Sequence, residues 1–204
     1  LTSFSLVSAP LCRGLGPGPA FGTPGLRKRL DVMHGPMLCR SMRPAVGVNL
    51  ETMARLNHDV LCGGFHLVKD DELQVFVDAR AYERHVAAMV KARNIAEIST
   101  GENEMEERWD ICVRHGVDGV LVAPFIQGMG ILSQLARRRT LPILAHNTSG
   151  DLLYRNQGWG IDESVITDWM RHLGADWWVT PGPSGATIAG EVGLHAVLGA
   201  GTNC

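Results

Sequence analysis

Gly63-Gly64-Phe65-His66-Leu67-Val68-Lys69-Asp70-Asp71-Glu72 is the stretch on which the fold is read. Phe65 to Val68 has the composition of a short buried strand, and it runs directly into one amine and three carboxylates in consecutive positions. Such a cluster is costly inside a packed core. At the open C-terminal end of a barrel strand it is useful, because catalytic groups collect there and a hard cation prefers oxygen ligands.

Working outward, strand and helix patterns alternate. Met37 to Met42 reads as a first strand, stopped by Pro44. Asn49 then caps a helix with Met53, Leu56, Val60 and Leu61 on one face, ended by Gly63. After the Phe65–Val68 strand, Asp78 caps a helix expected over Ala79 to Ala96, with Tyr82, Val86, Met89 and Val90 inward. Ser99-Thr100-Gly101-Glu102 leads straight into another helix, capped by Asn103 and carrying Met105, Trp109 and Cys112. No strand is read between these two helices, which interrupts the alternation of a parallel barrel.

Alternation resumes with a strand over Gly119–Ala123, a helix over Met129–Arg139, and a strand over Leu141–Ala145 ending at His146. A loop over 147–160 precedes a helix from Asp162 to Leu173, and Trp177–Thr180 is the last clear strand. That makes five strands. Residues 12–26 are rich in glycine and proline and read as irregular loop. The domain reading is an irregular lead-in over 1–30, a partial α/β barrel over 31–190 and a tail over 191–204.

The 204 residues and 45% hydrophobic content support one domain with a real core, at the short end for a complete eight-unit barrel. A net charge of -2 carries no nucleic-acid or membrane footprint, and Arg137-Arg138-Arg139 reads as a solvated helix end. Cys12, Cys39, Cys62, Cys112 and Cys204 form no C-x-x-C pair and have no metal-ligand spacing. Their odd number points to reduced, mostly buried thiols and a cytoplasmic protein. Leu1 to Leu11 lacks a basic region and a sustained apolar core, so it does not read as a signal peptide. No window approaches the roughly 18 apolar residues of a membrane span.

Pro19-Ala20-Phe21-Gly22-Thr23-Pro24-Gly25-Leu26-Arg27 and Met42-Arg43-Pro44-Ala45-Val46-Gly47-Val48 resemble the start of the barrel domain of the ribulose bisphosphate carboxylase (RuBisCO) large subunit. The Gly63–Glu72 stretch resembles that family's metal-site signature, Leu141–His146 its fifth strand with an active-site histidine, and Leu173–Asp176 the approach to its sixth. The resemblance implies a TIM (β/α)8-type barrel and a Mg2+ cofactor. It also implies that Lys69 takes up CO2 as a carbamate, joined on the metal by Asp71 and Glu72. His146 becomes the candidate acid or base, and the family's dimers imply a homodimer.

The departures from the family pattern point to its non-carboxylating, RuBisCO-like branch. Arg43-Pro44-Ala45 stands where carboxylases carry Lys-Pro-Lys, Ala186 where the mobile loop lysine is expected, and Val179 where a phosphate-contacting histidine belongs. Asn147 replaces a phosphate-binding arginine. The implied activity is enolisation, isomerisation or decarboxylation of a small phosphorylated sugar derivative. Arg43, Asn147, Gly182, Ser184 and Gly185 are its candidate substrate contacts, the last three as a backbone phosphate cradle. The third strand and strands seven and eight are expected to be missing. The alternative expectation is therefore an inactive fragment, or a structural or regulatory partner of a full-length homologue. Gly182, Ser184 and Gly185 read equally well as a plain turn, and His146 as a loop histidine.

Overall fold

The computed structural model describes residues 16–154 and 160–180. The chain divides into two compact units. One comprises Phe21–Val122 with Thr140–Pro142; the other holds 16–20, Ala123–Arg139 and the described residues from Ile143 onward.

In the first unit the strands are β1 (Cys39–Ser41), β2 (Leu67–Lys69), β3 (Asn94–Glu97) and β4 (Gly119–Val122). They pair in that order, all parallel, with Ser41 beside Lys69, Lys69 beside Ile95, and Glu97 beside Leu121. Every residue of β2, β3 and β4 is buried, as a parallel sheet covered on both faces requires. The helices are α1 (Gly22–Leu30), α2 (Leu50–Cys62), α3 (Ala79–Met89) and α4 (Glu102–His115). Met42, Met53, Val68 and Met89 form a buried cluster between sheet and helices, flanked by Val48, Leu50, Leu56 and Val60.

In the second unit, α5 (Pro124–Gln127), α6 (Gly130–Ala136), α7 (Asp151–Tyr154) and α8 (Glu163–Leu173) accompany the parallel pair β5 (Ile143–Ala145) and β6 (Trp177–Trp178). Val165, Ile166 and Met170 give α8 its buried face. These strand–helix units make a partial (β/α)8-type barrel, as the resemblance implied.

Several helix starts follow the expected caps. Asn49 Oδ1 accepts from Thr52 N at 2.8 Å, Asp78 Oδ1 from Ala81 N at 2.6 Å, and Asp162 Oδ1 from Ser164 N at 2.9 Å.

The third strand, expected to be missing, is present. The helix after Asp78 ends at Met89 rather than Ala96, and Asn94-Ile95-Ala96-Glu97 forms β3, central in its sheet. Its polar ends hid it, because neither alternation nor a continuous apolar run marks it. The fold satisfies those ends: Asn94 N donates to Asp118 Oδ2, and Glu97 N donates to Asp70 Oδ2. Six strands are therefore formed among the described residues, not five. The expected absence of strands seven and eight falls on residues outside the described ones.

Other expectations also change. Gly22–Leu30 is helical although its composition reads as loop. Pro24 lies in the first helical turn, where an N–H has no intrahelical acceptor anyway, and Leu26 and Leu30 are buried. Helix α4 is capped by Gly101, not Asn103, with no side-chain cap bond. The loop after β5 contains α7, and the helix expected over Met129–Arg139 is confined to Gly130–Ala136. Of the described cysteines, Cys39 and Cys62 are exposed and only Cys112 is buried, against the expectation of mostly buried thiols.

Because α3 carries Tyr82, His85, Val86 and Met89 into the core, its cap matters to the whole unit. Replacing Asp78 by alanine is expected to lower unfolding stability by about 1 kcal/mol in urea titrations. An unchanged midpoint would mean that the cap is idle.

Candidate functional site

Strand β2 ends at Lys69, and Asp70 N donates to Ile95 O at 2.9 Å, so the extended backbone continues one residue further. Successive side chains on extended backbone point to opposite faces. Val68 and Asp70 therefore share the face toward α3, while Lys69 and Asp71 share the other.

Asp70 is fully buried and is held by three donors. His85 Nε2 stands 3.0 Å from Oδ2, Asn94 Nδ2 donates to Oδ1 at 3.3 Å, and Glu97 N donates to Oδ2 at 3.2 Å. Facing a carboxylate, Nε2 of His85 is the protonated nitrogen. This network is a positioning device, since it uses up Asp70 and fixes its neighbours on the opposite face.

On that face Lys69 Nζ donates to Glu72 Oε2 at 3.3 Å and to the Asp70 carbonyl at 3.2 Å. Asp71 Oδ1 accepts from Leu73 N at 3.0 Å, closing a turn that Gln74 N extends by donating to Asp71 O. Asp71 Oδ2 is buried with no hydrogen-bond donor. The Arg43 guanidinium lies 2.9 Å from it and 3.5 Å from Glu72 Oε1, at ion-pair distance but outside hydrogen-bond angles for Oδ2. Lys69, Asp71, Glu72 and Arg43 are thus gathered at one strand end.

The Lys69, Asp71 and Glu72 set suits Mg2+ in donor type, two carboxylates with one oxygen left without a hydrogen-bond donor. It falls one anionic ligand short while Lys69 is an amine. Among the described residues no group of three His, Cys, Asp or Glu side chains is placed to hold a metal ion. A carbamate on Lys69 would supply the missing oxygen, so the residues fit the metal only in that modified form.

His146 and Asn147 belong to the other unit, just past β5. His146 Nδ1 stands 2.7 Å from Thr148 Oγ1, and Asn147 Nδ2 donates to Asp151 Oδ1 at 3.4 Å. Gly182, Ser184 and Gly185 lie outside the described residues.

Sequence reasoning missed Glu97, which ends β3. It is 1% exposed; Oε1 accepts from Ser99 N, and Oε2 has no hydrogen-bond partner. Burial pushes its carboxyl up from the usual 4.5 to about 7, with the Ser99 bonds opposing, Asp70 adding and Lys69 opposing. Reading β3 as a strand would have placed this carboxylate at a strand end. A cavity of about 560 Å3 also opens beside the loops that follow Arg43 and Glu72. It is lined by Val46, Val48, Met53, Gln74, Phe76 and His85 among others, and Gln74 Oε1 is buried there without a partner.

Lys69, Asp71 and Glu72 thus stand together at the C-terminal end of the second strand of a partial α/β barrel. The family model of the ribulose bisphosphate carboxylase large chain, catalytic domain, matches residues 22–192, and the chain belongs to that family. It is 28% identical over 177 residues to a ribulose bisphosphate carboxylase-like protein of Chlorobaculum thiosulfatiphilum, covering 81% of this chain and 41% of the relative. It is 25% identical over 185 residues to a 2,3-diketo-5-methylthiopentyl-1-phosphate enolase of Bacillus licheniformis, covering 83% of this chain and 46% of that one. Among solved structures, a RuBisCO-like protein of Alicyclobacillus acidocaldarius superposes with a TM-score of 0.83 at 25% identity, over 98% of this chain and 54% of that one. The chain thus spans about half the length of these relatives or less.

The Glu97 carboxyl makes a pH prediction. With its folded value above the unfolded one, the folded state holds the extra proton between about pH 4.5 and about 7. Stability contributed by the protonated form is present below the lower value and is lost as pH rises through the upper one. The full swing is roughly 3 kcal/mol. Glu97→Gln is expected to remove that slope in urea unfolding measured across this range; an unchanged slope would assign the effect elsewhere.

Proposed function

We propose that this chain is the metal-bearing part of a RuBisCO-like enzyme, Mg2+-dependent, which enolises, isomerises or decarboxylates a small phosphorylated sugar derivative through an enediolate. The observation that carries the reading is the buried, donor-free Asp71 oxygen beside Glu72 and Lys69, in a chain of this family. The enolase name of one relative points the same way.

Activation starts at Lys69. Its deprotonated amine adds to CO2, forming an N–C bond and releasing a proton to solvent, which exchanges a cation for an oxygen ligand. Asp71 and Glu72 would complete the ligand set for Mg2+, which when bound would supply Lewis-acid stabilisation of an oxyanion. The Asp70–His85–Asn94 network keeps Lys69 and Asp71 on one face throughout. His146 is proposed to move a proton or orient substrate, with its Nδ1 engaged by Thr148. Asn147 and the Gly182, Ser184 and Gly185 stretch are proposed to receive the phosphate. Carboxylation of ribulose bisphosphate is not the proposed reaction. Arg43 stands where the family's proton-abstracting lysine belongs, and arginine stays protonated.

The test is solvent-deuterium incorporation into 2,3-diketo-5-methylthiopentyl-1-phosphate and ribulose bisphosphate, with Mg2+ and bicarbonate. Exchange is expected, falling more than about 100-fold in Lys69→Ala. No exchange, or exchange indifferent to that substitution, would sink the reading.

A second reading is a structural or regulatory partner of a full-length homologue. It is favoured by the loop after Glu72, where Leu73, Val75 and Val77 are 59%, 90% and 91% exposed. A homodimer is proposed on the first reading, and light scattering after gel filtration checks it. A purely monomeric chain that dimerises only with a homologue would favour the second.

A further inference from the structure

Asp70 being held on the opposite face by His85, Asn94 and Glu97 N, the four charged side chains on the Lys69 face balance without any metal. Lys69 and Arg43 face Asp71 and Glu72, two cations against two carboxylates. Arg43 approaches the buried Asp71 oxygen that has no hydrogen-bond donor, and it reaches Glu72 at the same time. A guanidinium presents a planar fork able to span two carboxylates. Its position between Asp71 and Glu72 is therefore the position of a counter-cation. Its side chain is 60% exposed whereas that of Asp71 is fully buried, so the arginine can leave for water while the carboxylate cannot.

We infer that Arg43 is a resident counter-cation of the Asp71–Glu72 pair that competes with the divalent metal for the same oxygens. The inference rests on the metal-site reading of Lys69, Asp71 and Glu72 and deepens it by naming what keeps the site closed. With Lys69 as an ammonium and Arg43 in place, the cluster is neutral and attracts a divalent cation weakly. Conversion of Lys69 to a carbamate changes its charge from +1 to −1. The cluster becomes anionic, and one guanidinium no longer neutralises it. Metal entry then displaces Arg43 outward into solvent, where its charge is free to meet an anionic substrate. Arg43 thereby makes loading depend on the state of Lys69 more steeply than the two carboxylates alone would.

The experiment is Mn2+ binding to the whole protein, followed by loss of the free-ion electron paramagnetic resonance signal, with and without bicarbonate. It compares wild type with Arg43→Ala, Arg43→Gln and Arg43→Lys. The two neutral variants are expected to bind Mn2+ at least about tenfold more tightly than wild type in the absence of bicarbonate. Arg43→Lys keeps the charge and is expected to stay near wild type, which a merely steric role would not predict. Equal affinity in all four proteins, or weaker binding in the neutral variants, overturns the inference while leaving the metal reading intact. Binding by Arg43→Ala and Arg43→Gln alone, with wild type inert even in bicarbonate, upholds the inference and overturns the Mg2+-dependent function. Absence of binding in all four overturns both.

Discussion

Asp70 is a carboxylate without access to water, and the geometry of the strand end depends on how it is held. A buried charge of this kind is tolerated only when its oxygens are met by donors. Here His85 comes from a helix, Asn94 from a neighbouring strand, and a backbone N–H from Glu97. Those three donors tie β2 to α3 and β3 at one point. They also settle which side of the backbone Asp70 occupies, and therefore that Lys69 and Asp71 lie on the opposite side. The charged cluster is in this sense two clusters back to back, one spent on architecture and one to which the proposed function assigns the chemistry.

The chemical side is assembled from few elements. Arg43 arrives from the segment after β1, Lys69 from the end of β2, and Asp71 and Glu72 from the turn that follows. That turn is closed by Asp71 itself, which accepts from Leu73 N. The loop continues to Phe76, whose ring meets Tyr82 edge-on at 5.1 Å and His85 at 5.0 Å, with Arg108 over both Phe76 and Tyr82. One aromatic side chain thus anchors a segment whose other apolar residues face outward. The adjoining cavity owes its wall to that anchor.

Much of this was legible in the residues. The helices over Leu50–Cys62 and Glu163–Leu173 announce themselves by capping residues and a 3.6-residue apolar period. Strand β4 does so by an unbroken apolar run, Gly119-Val120-Leu121-Val122. The family signature at Gly63–Glu72 pointed to the strand end where Lys69, Asp71, Glu72 and Arg43 are gathered. What stayed hidden was β3, because a four-residue strand with Asn94 and Glu97 at its ends looks polar until the partners Asp118 and Asp70 are known. Helix α1 was hidden for a different reason, since glycine and proline are read as breakers although a first turn tolerates both. Position alone gives Arg43 the expectation of a substrate contact, whereas its pairing with Asp71 and Glu72 joins residues 28 and 29 places apart and no local pattern announces it. Long-range pairing of that sort is a property of the sheet, not of any local pattern.

The back-to-back arrangement around Asp70 has a consequence for how this gene can change. Strand side chains alternate with a period of two, so shifting the segment by one residue turns every side chain to the other face. Insertion of a single codon between Val68 and Lys69 would bring Asp70 to the chemical side and turn Lys69 toward His85 and Asn94. The amine would then meet a niche built for one acceptor. Length here cannot drift without turning side chains to the wrong face. The stretch behaves as a ruler, whereas Leu73, Val75 and Val77 in the loop beyond Glu72 face outward and are held to no such alternation.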